Sequence, residues 1–370
     1  MRSMNLSSVS AETGTAGTNS SDTFRHLSAQ PGTPAVRGHR LDAQRSGRAA
    51  RLGWIVLGYN VFVILWGAFV RASGSGAGCG RHWPLCNGEV IPQPKSIATV
   101  IEAGHRLTSG IAVIGVIALA IATFRAVPKG HRARKAAVVS TASIFGEALI
   151  GGGLVLFELV AHDASMKRGL SMILHLSNTF VLLAALALTA WWLREARDGE
   201  RTVLAARRPA LLRTFSMLAL GGVILLGASG AVAALGDTLF PVKTLSEGLA
   251  QDLSPLSHVF LRLRLLHPVL ALGTGLFVLG SAGLVRAFSP SPMAQKISRL
   301  VTALFVMQFT AGILNLTLLA PVPMQLVHLL LADAMWIALV LMAWEAWNPR
   351  APAVDALLTS RASFRGVEIS

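Results

Sequence analysis

Eight apolar runs constrain this chain more than any other feature. They lie at roughly 52–70, 102–124, 136–160, 170–193, 211–235, 263–285, 298–319 and 324–345. Each is close to the ~20 residues a helix needs to cross a bilayer. In hydrocarbon, a backbone satisfies its N–H and C=O groups only as a helix or a closed barrel. Runs of this length and uniformity are helices, so the expected fold is an all-α integral membrane protein. Composition agrees: 53% of the 370 residues are hydrophobic and only 14% are charged, against about 25% charged in a soluble domain. The net charge of +15 would suggest nucleic acid in a soluble chain. Here the basic residues cluster between apolar runs, so the expected partner is the lipid bilayer, with no nucleic acid.

The placement of Lys and Arg sets the expected orientation. Six arginines from Arg25 to Arg51 precede the first run, and basic clusters fill the second-to-third, fourth-to-fifth and sixth-to-seventh connections. The alternate connections are less basic. Both termini are therefore expected in the cytoplasm, with the loops 72–100 and 236–262 outside. Residues 1–51 are rich in Ser, Thr, Gly and Arg and poor in large apolar residues, the pattern of a disordered tail. No apolar segment precedes Leu52, which argues against a secretory signal. Glu12, Asp22 and Asp42 count against a mitochondrial presequence, which stays open. The expected plan is a cytoplasmic tail 1–51, a four-helix bundle 52–193, a linker 194–210, a second bundle 211–347 and a cytoplasmic tail 348–370.

Ten histidines are present. Four of them, His105, His175, His267 and His328, fall near the starts of helices two, four, six and eight, at matched depth on alternating helices. A single intramembrane histidine is usually a packing hydrogen bond; four in this pattern point to a bound group. The pattern also repeats. His105 and His267 are 162 residues apart, and Glu147 with Gly151 corresponds to Gln308 with Gly312 at an offset of 161. Four crossings per unit give two tandem, pseudo-symmetric four-helix bundles in the same orientation. Each offers two imidazoles from its second and fourth helices, which suits the axial positions of a haem iron. Zinc would want a third ligand, and neither half supplies one. The halves differ in charge before the first histidine of each: Glu102-x-x-His105 in the first aligns with Arg264-x-x-His267 in the second. An arginine suits a haem propionate, whereas a carboxylate suits proton handling or charge stabilisation. The first bundle thus looks like the working site and the second like a resident cofactor site. The competing roles are an ion pair with Arg106 for Glu102 and an interfacial anchor for Arg264.

These residues sit in segments that resemble the haem A synthase family. The matching pieces are GAFVRASGSGAGCGRHWPLCNGEVIP, IEAGHRL and ILHLSNTFVLL in the first half, then GDTLFP, LRLLHPVLA and QLVHLLLAD. The resemblance covers about residues 52–348. It implies oxidation of a ring methyl of haem O to a formyl group, giving haem A for respiratory oxidases. It implies substrate haem held by His105 and His175 with Glu102 essential nearby, and haem b ligated through iron by His267 and His328. Arg106 and Arg264 become candidate propionate contacts. Partners implied are an electron donor, haem O synthase, cytochrome oxidase assembly factors and further copies of the chain, in a bacterial inner membrane or alternatively a mitochondrial one. The family's outer-loop cysteines map onto Cys79 and Cys86. An outside loop is oxidising, and a gap containing Gly80 and Pro84 can fold back to close a disulfide; redox-active free thiols are the alternative. Gly80-Arg81-His82 departs from the Pro-Asp that many members carry there. Pro268, directly after His267, places that helix's start near His267. The rival function is a two-haem b-type electron carrier or quinol oxidoreductase. A transporter with parallel repeats is a third, though it would show broken helices at mid-membrane.

Overall fold

The computed structural model describes residues 34–93, 96–198 and 209–348, and all regular elements among them are helices. Their order is α1 Pro34–Ala72, α2 Ile97–Ala126, α3 Arg132–Leu156, α4 Met166–Asp198, α5 Ala210–Leu239, α6 Leu245–Leu253, α7 Val259–Arg264, α8 Leu266–Phe288, α9 Pro292–Thr317 and α10 Val322–Trp347. Eight spans are long and apolar enough to cross a membrane, with α7 and α8 together forming the sixth. The fold class is therefore as expected: all-α, with eight candidate membrane-spanning helices.

Helix ends are set by caps rather than by hydropathy. Ser96, at the N-cap of α2, accepts from the Thr99 N–H, and Ser291 does the same for Ala294 at α9. The third span was expected at 136–160 but closes at Leu156. There the Leu159 N–H bonds the Leu154 carbonyl, and Glu158 takes a left-handed φ of 57°. This is a Schellman-type closure. The same closure ends α9: Ala320 N–H bonds Asn315 O, with Leu319 at φ 60°. α8 begins at Leu266 after a break at Leu265, so Pro268 falls in its first turn as expected.

Two expectations need correction. The tail boundary at 51 is too late, because α1 is already helical from Pro34, and Asp42–Ala72 belongs to the main packed unit. In that extension Ser46, Ala49 and Ala50 are buried and the Ser46 hydroxyl donates to the Ala126 carbonyl. Small residues let the basic end of α1 pack where an apolar window finds nothing. The loop 236–262 is also not irregular, since it contains α6 and the start of the sixth span. The rest of the expected tails and most of the linker, residues 1–33, 199–208 and 349–370, lie outside the described residues.

The core sits between α4 and α10. Leu182, Leu183, Leu186, Ala187, Leu193, Leu339 and Met342 are fully buried there. Outward faces stay apolar: Leu107, Ile114 and Ile121 make an exposed stripe at seven-residue spacing along α2, as a lipid-facing surface requires. Buried hydroxyls satisfy themselves within their own helix, as in Thr123 to Leu119 O and Thr189 to Ala185 O.

At the centre the Phe180 and Trp336 rings stack at 5.1 Å, and α5 closes on them at Gly227. A Cβ there would lie 2.5 Å from Phe180 Cε2. Gly227→Leu should destabilise the detergent-purified protein by about 1–3 kcal/mol, the usual cost of overpacking, seen as a lower thermal unfolding midpoint. Gly221→Leu, where a Cβ meets nothing within 4 Å, should leave the midpoint unchanged.

Candidate functional site

Each of the four histidines lies against a glycine of the preceding span. Cβ atoms built on Gly67 and Gly230 would come within 3.0 Å of the Cε1 atoms of His105 and His267. Those on Gly151 and Gly312 would lie 3.8 Å from His175 Nε2 and 3.1 Å from His328 Cε1. At Gly67, Gly230 and Gly312 a Cβ would crowd the imidazole, whereas at Gly151 it would make ordinary contact. A side chain at any of the four would fill the space beside the ring.

The ring nitrogens have distinct partners. Ser229 donates its hydroxyl to the Leu226 carbonyl and lies 2.9 Å from His267 Nδ1. With its proton committed, the hydroxyl oxygen is an acceptor, which places the His267 proton on Nδ1 and leaves Nε2 a free lone pair. Glu147 on α3 brings Oε2 to 2.6 Å from His175 Nδ1, an ion-pair contact. The carboxylate is held by Asn178 at 2.6 Å and Thr179 at 3.2 Å. In the second half, Gln308 of α9 meets the other ring nitrogen, 3.2 Å from His328 Nε2. The Nδ1 atoms of His105 and His328 are buried without a hydrogen-bond partner.

His267 and His328 face each other with ring centroids 6.5 Å apart, and His105 and His175 are near enough for their charges to interact. An imidazole–metal bond is about 2 Å, and the ring centre lies roughly 1 Å beyond the nitrogen, so two imidazoles on one metal sit with centroids roughly 6 Å apart. The second pair has that spacing. Among the described residues no group of three or more His, Cys, Asp or Glu gathers to hold a bare metal ion. A planar macrocycle that supplies its own equatorial ligands needs only two protein ligands, and the paired imidazoles with glycine-lined space beside them fit it.

Glu102 is buried, 3% exposed. Its Oε2 accepts the Cys79 N–H at 2.8 Å and its Oε1 pairs with Arg106 Nη2 at 2.5 Å. Arg106 also donates to the carbonyls of His82 and Leu85, and Thr99 donates to Gly78 O. The loop after α1 is thus stitched onto the start of α2. Gly78 is required at that seam, since a Cβ there would run into the Ala98 backbone. Cys79 and Cys86 are joined as a disulfide. The same loop lays the Trp83 ring on α3 at Gly152, next to the glycine facing His175.

Arg264 is fully engaged. Its Nη1 pairs with Asp237 at 2.6 Å and its Nη2 with Asp252 of α6 at 2.5 Å. Sequence reasoning placed Arg106 and Arg264 as carboxylate contacts for a ligand, and the structure gives both to the protein's own acids. It missed Glu147 as a partner of His175, although the Glu147/Gln308 correspondence was visible. It also missed Arg71, which lies in the run GAFVRASGSG.

Residues 50–340 match the COX15-CtaA family, cytochrome oxidase assembly protein. Over 319 residues the chain is 45% identical to a protein of Thermus thermophilus named protoheme IX farnesyltransferase, covering 86% of this chain and 52% of the relative. It is 38% identical over 122 residues to heme A synthase of Staphylococcus haemolyticus, covering 33% of this chain and 40% of the relative. Against heme A synthase of Bacillus cereus it is 38% identical over 113 residues, covering 30% of this chain and 36% of the relative. The chain therefore spans about half, or less, of the length of the curated relatives it matches. With a match running through both histidine pairs and the disulfide loop, the chain belongs to the COX15-CtaA family of cytochrome oxidase assembly proteins.

Proposed function

We propose that the chain is a haem A synthase, an oxidoreductase that converts a ring methyl of haem O into the formyl group of haem A. The observation that carries this is the facing pair His267 and His328 at 6.5 Å, matched by a second pair, His105 and His175, in the other half. Family membership and the relatives named heme A synthase support it. On this reading the chain is two tandem bundles. His105 and His175 hold the substrate haem, and His267 and His328 hold a resident haem b. When bound, haem b supplies a one-electron redox centre. The relative named for protohaem IX farnesylation supports a link to the enzyme that supplies farnesylated haem.

The chain's own residues then have definite work. Ser229 would keep the His267 proton on Nδ1, leaving Nε2 available to ligate a haem iron. Glu147 stands beside His175 Nδ1 to take the same part in the first half. The disulfide loop is seated on α2 by Glu102 and on α3 by Trp83. Glu102 lies one turn before His105, where its negative charge would stabilise positive charge building up on the substrate ring or relay a proton. We place the protein in a bacterial inner membrane, both termini cytoplasmic and the disulfide loop outside, on the distribution of Lys and Arg.

Pigment analysis of cells expressing the protein with haem O available tests the reaction: haem A should appear. Unchanged haem O would instead indicate a b-type electron carrier.

Ligation makes a separate prediction. His267→Ala or His328→Ala should remove the low-spin haem b from purified protein, because neither imidazole has a substitute in its pair. A bis-imidazole spectrum at full occupancy in either variant would count against the assignment.

Glu102→Gln gives the sharpest catalytic test. The amide oxygen can still accept the Cys79 N–H, so the loop should stay seated, but the charge is gone. Haem A output should fall at least about tenfold, a barrier change of about 1.4 kcal/mol, with membrane insertion and haem b content kept. A normal yield from this variant would refute the catalytic role and leave Glu102 as a loop fastener.

A further inference from the structure

Arg71, in the last turn of α1, has no part in the function proposed above. Its guanidinium reaches out of the first half into the second. Nη1 donates to the Ala234 carbonyl at 2.7 Å and to Thr238 Oγ1 at 2.5 Å, both on α5. Nη2 donates to Gln325 Oε1 on α10 at 2.8 Å. Gln325 is one turn before His328, and Ala234 is one turn beyond Gly230, the glycine against His267. A positive group from the first half therefore lies about one helical turn, ~5.4 Å along each axis, from the second histidine pair.

No carboxylate bonds this group directly. All three acceptors are neutral. Arg264 and Arg106, by contrast, are paired directly with carboxylates. Asp237 is near enough for its charge to act on Arg71, but it is bonded to Arg264. Arg168 also acts on Arg71 and is bonded by Nη1 to the carbonyls of Ala161 and Asp163, with the Asp163 charge acting on it in turn. Of the five N–H donors of Arg71, three are used. Nε–H and one on Nη2 have no acceptor among the described residues. A guanidinium inside a membrane protein is costly without a counter-charge, and a planar pair of free donors suits one carboxylate held by two bonds.

We propose that Arg71 binds a carboxylate of the group held between His267 and His328, which on the haem reading is a propionate of haem b. The proposal rests on that reading for the identity of the carboxylate. A haem carries its propionates at one edge of the ring, displaced sideways from the axial ligands, and Arg71 is displaced from both histidines toward one end of α5 and α10. The consequence is that a helix of the substrate half helps to hold the cofactor of the other half.

The test compares two probes, protohaem and its dimethyl ester, in which both propionates are neutral. Each is titrated into full-length protein in detergent, in a His105→Ala, His175→Ala background that leaves the second pair alone. Protohaem should bind at least about tenfold more tightly than the ester to protein with Arg71 intact. Arg71→Gln should bind both equally and weakly, Arg71→Lys should restore part of the preference, and Arg264→Gln should keep it. An Arg71→Gln protein that still prefers the free acid tenfold would overturn the proposal. So would an Arg71-intact protein that binds acid and ester alike, a result that needs no variant of Arg71 to fold. Failure of the underlying reading has a different signature: His267→Ala in the same background would keep its bis-imidazole spectrum.

Discussion

Trp336 of α10 donates its indole N–H to the Phe180 carbonyl of α4 at 2.8 Å while the two rings stack. Nearer the other end of the same helix pair, Trp191 donates to Glu345 at 2.9 Å. Between apolar helices in lipid there is no hydrophobic gain from association, so close packing and a few buried hydrogen bonds decide which helices meet. These two tie the last helix of the first half to the last helix of the second. Both helices carry a histidine, His175 and His328, one to two turns before Phe180 and Trp336. Fixing α4 against α10 therefore fixes one imidazole of each pair in a common frame, and α5, closing on Phe180 at Gly227, brings the helix that backs His267 into it.

Glu102 and Arg264 occupy corresponding positions with opposite charge. The sequence suggests opposite tasks, yet their neighbours show a shared one. Each fastens the loop before its histidine helix: Glu102 through the Cys79 N–H, Arg264 through Asp252 on α6. Neither is a surface pair of the kind that contributes about 0–1 kcal/mol, because Glu102 and Asp252 are buried. Removing one partner would strand a charge, so these pairs specify where the loops sit even where they add little net stability. A catalytic part for Glu102 must be played from this fastened position, which would hold its charge at a fixed place relative to His105.

The helices were legible because span length in lipid is fixed by bilayer thickness, and apolar runs register it directly. Their ends were not, because ends depend on single caps. Glu158 and Leu319 close α3 and α9 with left-handed residues that are not glycine, so the usual stop signal was missing. α6 was missed as a short element without an apolar run, although Thr244 capping the Glu247 N–H, with Glu247 reaching back to Lys243 N, leaves a visible T-x-x-E. The cysteine pair was legible from spacing, and so was the pairing of His267 with His328 as neighbours. Their partners were not: Ser229 precedes His267 by 38 residues, and Arg71 meets Gln325 across 254. A polar group in a membrane span announces itself by its cost, but what satisfies it is decided by which helices pack together.

The two pairs are not chemically equivalent. The third span of each half presents one polar side chain to the histidine of the fourth, a carboxylate from Glu147 in the first half and an amide from Gln308 in the second. Asn178 and Thr179 hold Glu147 in place. A carboxylate beside Nδ1 makes an imidazole a stronger donor and can accept its proton; the Gln308 amide lies instead at Nε2 of His328, whose Nδ1 has no partner. Glu102 and Glu147 thus put two acids around the first pair. The second pair has a hydroxyl, an amide and, one turn away, the cation Arg71, which bonds only neutral acceptors. A site that moves protons needs groups able to take and give them, whereas one that only cycles an electron is better served by neutral partners and a fixed positive charge nearby. If the chain is the haem A synthase proposed above, this asymmetry suits chemistry at His105 and His175 and electron transfer at His267 and His328.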